Sequence, residues 1–325
     1  MVKLFKENSP IATIWLVVLS LVVHSHFFVA FPGVHTPLHD GLFSYILSQY
    51  VAPLNQAVVL ILYHCLIITQ ALRLNYLFSE NKMFSKANYL VAMVYILLTG
   101  IFKEWSALTP ALLENLLVIW LYAQTIKLYN APDPKTLLFN TGLIIGISII
   151  FYHPSALLII VALFALMVVR PFVVTEWLVM LMGVLSPLYF LASWLYLTDK
   201  LKTFKQYIPV WRLNLPDTVV NPWFVATVAL IIVILLIGVF YYQRESRRLL
   251  IHVRKNWGVL MVMLLVMLPI PFINKDAKID SLFLWIIPAS PFIAKGFLAP
   301  KNNFLPNLMF WSLLLLGLFK NWAVY

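Results

Sequence analysis

Residues 223–242 read WFVATVALIIVILLIGVFYY, an apolar run without one Asp, Glu, Lys or Arg. About 20 apolar residues, at 1.5 Å rise each, carry a helix across the roughly 30 Å hydrocarbon core of a bilayer. The run lacks the apolar–polar alternation of a barrel strand, so it reads as a transmembrane helix. Working outward, ten further apolar blocks stand near 11–31, 52–72, 88–102, 107–127, 136–152, 155–170, 177–197, 257–273, 281–298 and 305–320. The expected fold is all-α: a polytopic transmembrane helix bundle of about eleven spans, with 1–325 as one transmembrane domain.

Composition supports this. Hydrophobic residues make up 62% of the 325 residues and charged residues 11%, against about 25% charged in soluble domains. A soluble fold of this size could not hide that much apolar surface. The formal charge of +11 reads as membrane orientation and contact with anionic lipid headgroups. No basic stretch is interleaved with stacking aromatics, so no nucleic-acid partner is expected. With the N-terminus in the cytoplasm, inner segments hold 15 Lys and Arg and outer segments eight. That split predicts a cytoplasmic N-terminus and an external C-terminus, although 199–222 places four basic residues outside. Lys3 and Lys6 precede the first apolar block as in a signal peptide. No small-x-small pattern follows, so a retained first helix is expected.

The inner stretch Tyr242 to Trp257 carries Arg244, Arg247, Arg248, Arg254 and Lys255. On a helical wheel they fall within about a third of the circle. This predicts either a short interfacial helix on anionic lipid headgroups or ordinary positive-inside anchoring.

Ionisable side chains within a membrane are costly, so their placement informs. The outer side of the first half holds five of the seven histidines: His24, His26, His35, His39 and His153. Asp40, Lys103 and Glu104 lie there too, and Glu114 lies about two turns inside the fourth span. Asp40 is the only acid of the first outer loop, Pro32 to Gly41. A carboxylate beside a histidine, as in His39-Asp40, can act as a general base or hold a divalent metal, and is often merely solvated. After this loop, 42–50 predicts an interfacial helix. His153-Pro154-Ser155 reads as a tight helix hairpin, or as a group facing a cavity shared with Asp40. Glu114 needs a partner, water or a proton; Lys103 is one partner within reach. Arg170 and Glu176 predict a structural ion pair tying two helix ends. Pro288 and Pro291 predict a break in the tenth span, and Pro269 with Pro271 end the ninth. His64 and Cys65 stand as midplane polar residues. Cys65 has no partner cysteine, so no internal disulfide forms. Walker, dinucleotide, paired-cysteine, HExxH and GxSxG motifs are absent.

A cytoplasmic start, one span, an acid-bearing outer loop and an interfacial segment resemble polytopic glycosyltransferases of the GT-C type. The hairpin from Gly142 and Gly146 through His153-Pro154-Ser155 to Arg170 resembles their paired short helices. The resemblance covers 1–200, leaving 201–325 as additional C-terminal spans. It implies a polyprenyl-phosphate-linked sugar as donor at the outer leaflet and Asp40 as the catalytic acid, with His39, His153 and Glu114 as helpers. His39-Asp40 stands where such enzymes carry two acids. Arg170-Pro171-Phe172 with Glu176-Trp177-Leu178, Gly183 and Pro187 resembles an uncharacterised multipass inner-membrane family of Bacteroidota. This implies a bacterial inner (cytoplasmic) membrane and gives no activity. Two other readings stay open: a non-catalytic subunit or scaffold of an envelope complex, and a transporter or lipid flippase.

Overall fold

The computed structural model describes residues 1–37, 40–209, 211, 222–273, 279–300 and 302–322. The described residues are helical apart from turns and a single isolated bridge between Val34 and Leu108. In chain order the α-helices are α1 (Val2–Lys6), α2 (Pro10–Val23), α3 (Leu42–Ile46), α4 (Gln56–Glu80), α5 (Leu90–Thr99), α6 (Pro110–Lys127), α7 (Lys135–Phe151), α8 (Leu158–Val169), α9 (Val174–Leu197), α10 (Pro222–Ser246), α11 (Ile251–Met267), α12 (Ile270–Ile273), α13 (Ile286–Leu298) and α14 (Phe304–Trp322).

Local chemistry starts several of them. Ser9 caps α2 with its hydroxyl accepting from the Ile11 amide, and Thr109 caps α6 by accepting from Leu112. In each case a proline follows at the first helical position, where its missing N–H is no loss. Asn55 caps α4 through the Ala57 amide.

Every apolar block of the sequence contains a helix, but the helices are of two kinds. Six stretches are long and apolar enough to cross a membrane: Gln56–Glu80, Val174–Leu197, Pro222–Ser246, Ile251–Ile273, Ile279–Leu298 and Phe304–Trp322. The helices α2, α5, α7 and α8 are shorter. Helix α2 stops at Val23, ahead of the block's end at 31, and a 3-10 turn over Ser25–Phe28 follows.

Helix α5 is the extreme case. Its 10 residues span about 15 Å, half the hydrocarbon core, and all of them are buried. Helix α13 is likewise buried from Ile286 to Phe297. The two pack together at the centre, and α2, α4, α10, α11 and α14 surround them. A helix that is apolar on every side belongs in a core. By contrast α9 and α10 expose Leu185, Tyr189, Phe190, Trp194, Val233 and Phe240 to the outside, the pattern of a lipid-facing surface.

Helices α7 and α9 meet at backbone contact. A Cβ on Gly142 would strike the Met180 carbonyl, one on Gly146 the Val184 carbonyl, and one on Gly183 the Phe139 carbonyl. Small residues four apart let helices approach this closely where lipid offers no hydrophobic drive for association.

Two expectations about α13 and its neighbourhood need correction. Pro288 and Pro291 do not break the helix, which runs unbroken from Ile286 to Leu298. Pro288 falls in the first turn, and Pro291 costs only the bond to one carbonyl. Nor is there a separate basic interfacial helix at 242–257. Helix α10 runs on to Ser246 and α11 begins at Ile251, so the five basic residues divide between two helices and the turn joining them. Arg244, Arg247, Arg248 and Arg254 are exposed. Lys255 is not: its ammonium donates to the Val169 carbonyl at 3.1 Å and lies 5.3 Å from the Tyr129 ring. It thus neutralises the negative C-terminal end of α8.

At the same end Arg170 bonds Glu176 at 3.2 Å and donates to the carbonyls of Leu128 and Ala131 at 3.2 and 2.8 Å. Glu176 stands in the first turn of α9. Lys295 on α13 is only 2% exposed. It pairs with Glu245 of α10 and lies 5.1 Å from the Phe84 ring and 5.8 Å from the Trp257 ring. Charged hydrogen bonds of this kind are worth about 1.5–3 kcal/mol each.

Candidate functional site

The loop from Pro32 to Gly41 is fastened at three points. The Val34 region pairs with the α5–α6 connection, His35 N donating to the Leu108 carbonyl and Leu108 N to the Gly33 carbonyl, each at 2.9 Å. The His35 ring meets Asp280 at 2.8 Å, which lies in the 3-10 segment Ile279–Trp285 ahead of α13. Finally the His153 amide donates to the Asp40 carbonyl at 3.0 Å. Gly41 then turns the chain with φ +111° directly against the Phe151 carbonyl, where a Cβ would stand 2.5 Å from the oxygen. Only glycine combines that dihedral with that approach. The chain continues into helical residues from Leu42 to Val51, as the sequence predicts for 42–50.

The fastening carries Asp40 into the protein. Asp40 is 7% exposed, His153 5% and Glu114 0%. Tyr152 is the hub, because its hydroxyl lies within electrostatic reach of the Asp40, Asp280 and Glu114 carboxylates. Asp40 and Glu114, distant in sequence, thus act on one tyrosine whose chain neighbour is His153. Asp280 joins them, and sequence reading did not single it out. The segment 153–157 is a 3-10 turn with Pro154 in its first turn, which matches the hairpin expectation.

Glu114 has no hydrogen-bond partner for either oxygen, so the Lys103 ion pair weighed from sequence does not form at hydrogen-bond distance. Its neighbours are the Ser148 and Ser155 hydroxyls. His39 lies outside the described residues. Among the described residues no three or more His, Cys, Asp or Glu gather as a metal site.

Two further histidines, His24 and His26, form a second group. His24 stacks on Phe27 at 5.4 Å and lies edge-on to Tyr63 and His64 at 5.1 and 5.7 Å; His26 packs on Phe27 at 4.4 Å. The Tyr63 hydroxyl contacts His24 Nε2 at 3.1 Å and donates to the Trp105 carbonyl at 2.8 Å. His24 Nδ1 donates to the Ser20 carbonyl at 3.0 Å, and His64 pairs with the Ser20 hydroxyl at 2.9 Å. These bonds tie α2 to α4.

No family model, no curated protein and no solved structure matches this chain.

Deeper in the bundle a chain of amides and a phenol crosses from α4 to the 279–285 segment. Gln70 donates to the Leu112 carbonyl at 2.7 Å and accepts from the Tyr95 hydroxyl at 2.6 Å. Asn115 donates to the Tyr95 oxygen and to the Phe283 carbonyl at 3.1 and 3.3 Å. This interior chain displaces His64 and Cys65 as the buried polar feature of the bundle, since Cys65 is exposed. Neutral Gln, Tyr and Asn inside apolar helices give a weak sequence signal, because each can also sit at a helix surface.

Proposed function

We propose that the protein is a membrane-embedded transferase of the GT-C type, taking a polyprenyl-phosphate-linked sugar at the outer leaflet. One observation supports this above the others: the first outer loop is pinned so that its single acid lies beside His153 and Tyr152, inside the protein and out of bulk water. Asp40 is the general base in this reading. His153 fixes the loop through the backbone bond to Asp40, and Asp280 adds a second carboxylate within electrostatic reach of Tyr152. Removing water strengthens such electrostatics. The membrane arrangement completing this proposal has about eleven crossings, a cytoplasmic N-terminus and an external C-terminus in a bacterial inner membrane. The exposed Arg244, Arg247, Arg248 and Arg254 then meet cytoplasmic anionic lipid headgroups.

The test is transfer from radiolabelled polyprenyl-phosphate sugars in proteoliposomes. Asp40→Asn is expected to lower the rate by about 100-fold, the smaller end of a general base's contribution. A rate unchanged by Asp40→Asn removes this reading.

The burial of Asp40, Glu114 and His153 also favours a second reading, a non-catalytic scaffold of an envelope complex whose polar cluster only locks the outer loop. It predicts no transfer activity from any donor and recovery of the chain with protein partners in fixed ratio from native membranes.

A further inference from the structure

The end of α4 and the turn joining it to α5 enclose a cavity of about 310 Å³, at the small end of the roughly 300–1,000 Å³ of small-ligand sites. Lys82, Lys86, Ser79 and Ser85 line it, and no Asp or Glu does. The nearest acid in the chain, Glu80, is exposed and lies off the cavity. Among the described residues neither ammonium takes part in an ion pair or a hydrogen bond, and neither serine hydroxyl in a hydrogen bond. Arg170, Lys255 and Lys295 at the same end of the bundle each have a partner.

The cavity is held open by its own frame. Asn75 and Asn88 on its wall are buried. Asn75 Nδ2 donates to the Asn88 carbonyl at 2.9 Å, and its Oδ1 accepts from the Ala92 amide at 3.4 Å. Asn88 Nδ2 donates to the Lys86 carbonyl at 2.9 Å, and its Oδ1 accepts from the Leu90 amide at 3.1 Å. The Phe78 and Phe84 rings form the apolar wall, 5.7 Å apart and backed by Trp257 at 5.7 and 5.8 Å. Lys82 itself stands at φ +49°, a helix-end conformation that favours glycine. The turn thus carries a lysine where glycine would be the easier residue.

Two cations and two hydroxyl donors call for an anion of more than one charge. A phosphate monoester carries about −1.5 to −2 near neutrality and three acceptor oxygens. Lysine binds phosphate as a point charge, without the fixed angles of a guanidinium. The cavity is larger than a phosphate group, which leaves the Phe78 and Phe84 wall for the organic part of the ester.

We propose that the α4–α5 turn binds a phosphate monoester, with Lys82 and Lys86 supplying charge and Ser79 and Ser85 donating hydrogen bonds. The same chemistry is offered by the headgroup of phosphatidic acid and by a soluble phosphorylated metabolite. The site shares no residue with the Asp40 cluster, and its test measures binding and not transfer.

The experiment uses the full-length protein in nanodiscs of phosphatidylcholine and follows its Tm. In one arm glycerol 3-phosphate is added, against sodium chloride at equal ionic strength. In the other, phosphatidic acid is mixed into the disc, against phosphatidylglycerol, an anionic diester. The expected result is a saturable rise of about 2–5 °C with a monoester that its control does not give. A rise with glycerol 3-phosphate assigns a soluble ester, and a rise with phosphatidic acid alone assigns a lipid headgroup. Lys82→Gly and Lys86→Ala should each raise the half-saturating amount by about tenfold. Without ligand, Lys82→Gly should melt no lower than the parent, because glycine relieves the backbone at that position, so its weaker response is not a failure to fold. Equal Tm with and without both monoesters overturns the site. So does a full response in both lysine variants, or a rise that chloride and phosphatidylglycerol reproduce.

Discussion

The two ends of the bundle bury charge in opposite ways. At the end carrying Arg170, Lys255 and Lys295, every one of these groups has partners: carboxylates, helix-end carbonyls or aromatic faces. At the end carrying Asp40, Glu114 and Asp280, three acids lie within electrostatic reach of one tyrosine, and the deepest of them, Glu114, has only serine hydroxyls for polar neighbours. Buried charge that serves structure is paired, since breaking a buried pair strands a charge. Buried acids gathered without a basic counterpart for each persist where something else uses them. The comparison separates scaffold from candidate chemistry without help from relatives.

The largest effect belongs to the paired end. Glu245→Ala strands the buried Lys295 and is expected to cost about 3 kcal/mol in denaturant or thermal unfolding. Lys295→Met keeps the fit against Phe84 and Trp257 and should cost less than about 1 kcal/mol. A reversed order would break the comparison at its stronger side. Arg170→Leu is next, at about 2 kcal/mol, because Glu176 and the carbonyls of Leu128 and Ala131 lose a shared donor. Its measure is the same unfolding midpoint.

At the other end stability should hardly move. Asp40→Asn is expected to leave the unfolding free energy within about 0.5 kcal/mol while transfer falls. Glu114→Gln should likewise stay within about 0.5 kcal/mol, since it keeps the shape and the hydrogen-bonding capacity of the buried group. A loss of about 2 kcal/mol in either would make the acid cluster structural. The smallest effect is His35→Ala. Its ring is half exposed, so the pair with Asp280 contributes about 0–1 kcal/mol, read as a slight change in proteolysis of the outer loop.

Much of this was legible in the residues. Each apolar block holds a helix, and the hairpin at His153-Pro154, the helical 42–50 segment and the Arg170–Glu176 pair were visible from local chemistry. What sequence could not separate is lipid-facing from protein-facing apolar surface. Helix α5, enclosed on every side, and a lipid-facing span look alike, because lipid tails and leucine are equally apolar. In the site, Asp40, His153 and Glu114 announced themselves as costly groups. Asp280 did not, because nothing local links it to His35, 245 positions away in sequence. Lys295 was missed for the same reason: its partner Glu245 lies 50 residues back, and a lysine near the end of an apolar block reads as an anchor.

The short, enclosed α5 sets a condition on how the chain is made. Residues 90–99 emerge from the ribosome long before α13, the helix packed against them at the centre. At about 5–20 residues per second, that interval lasts roughly ten seconds or more. Ten residues cannot bridge the bilayer unaided, so during that time α5 depends on α4, already inserted, or on the insertion machinery. Assembly of the centre is therefore a late event, completed only when the last quarter of the chain arrives.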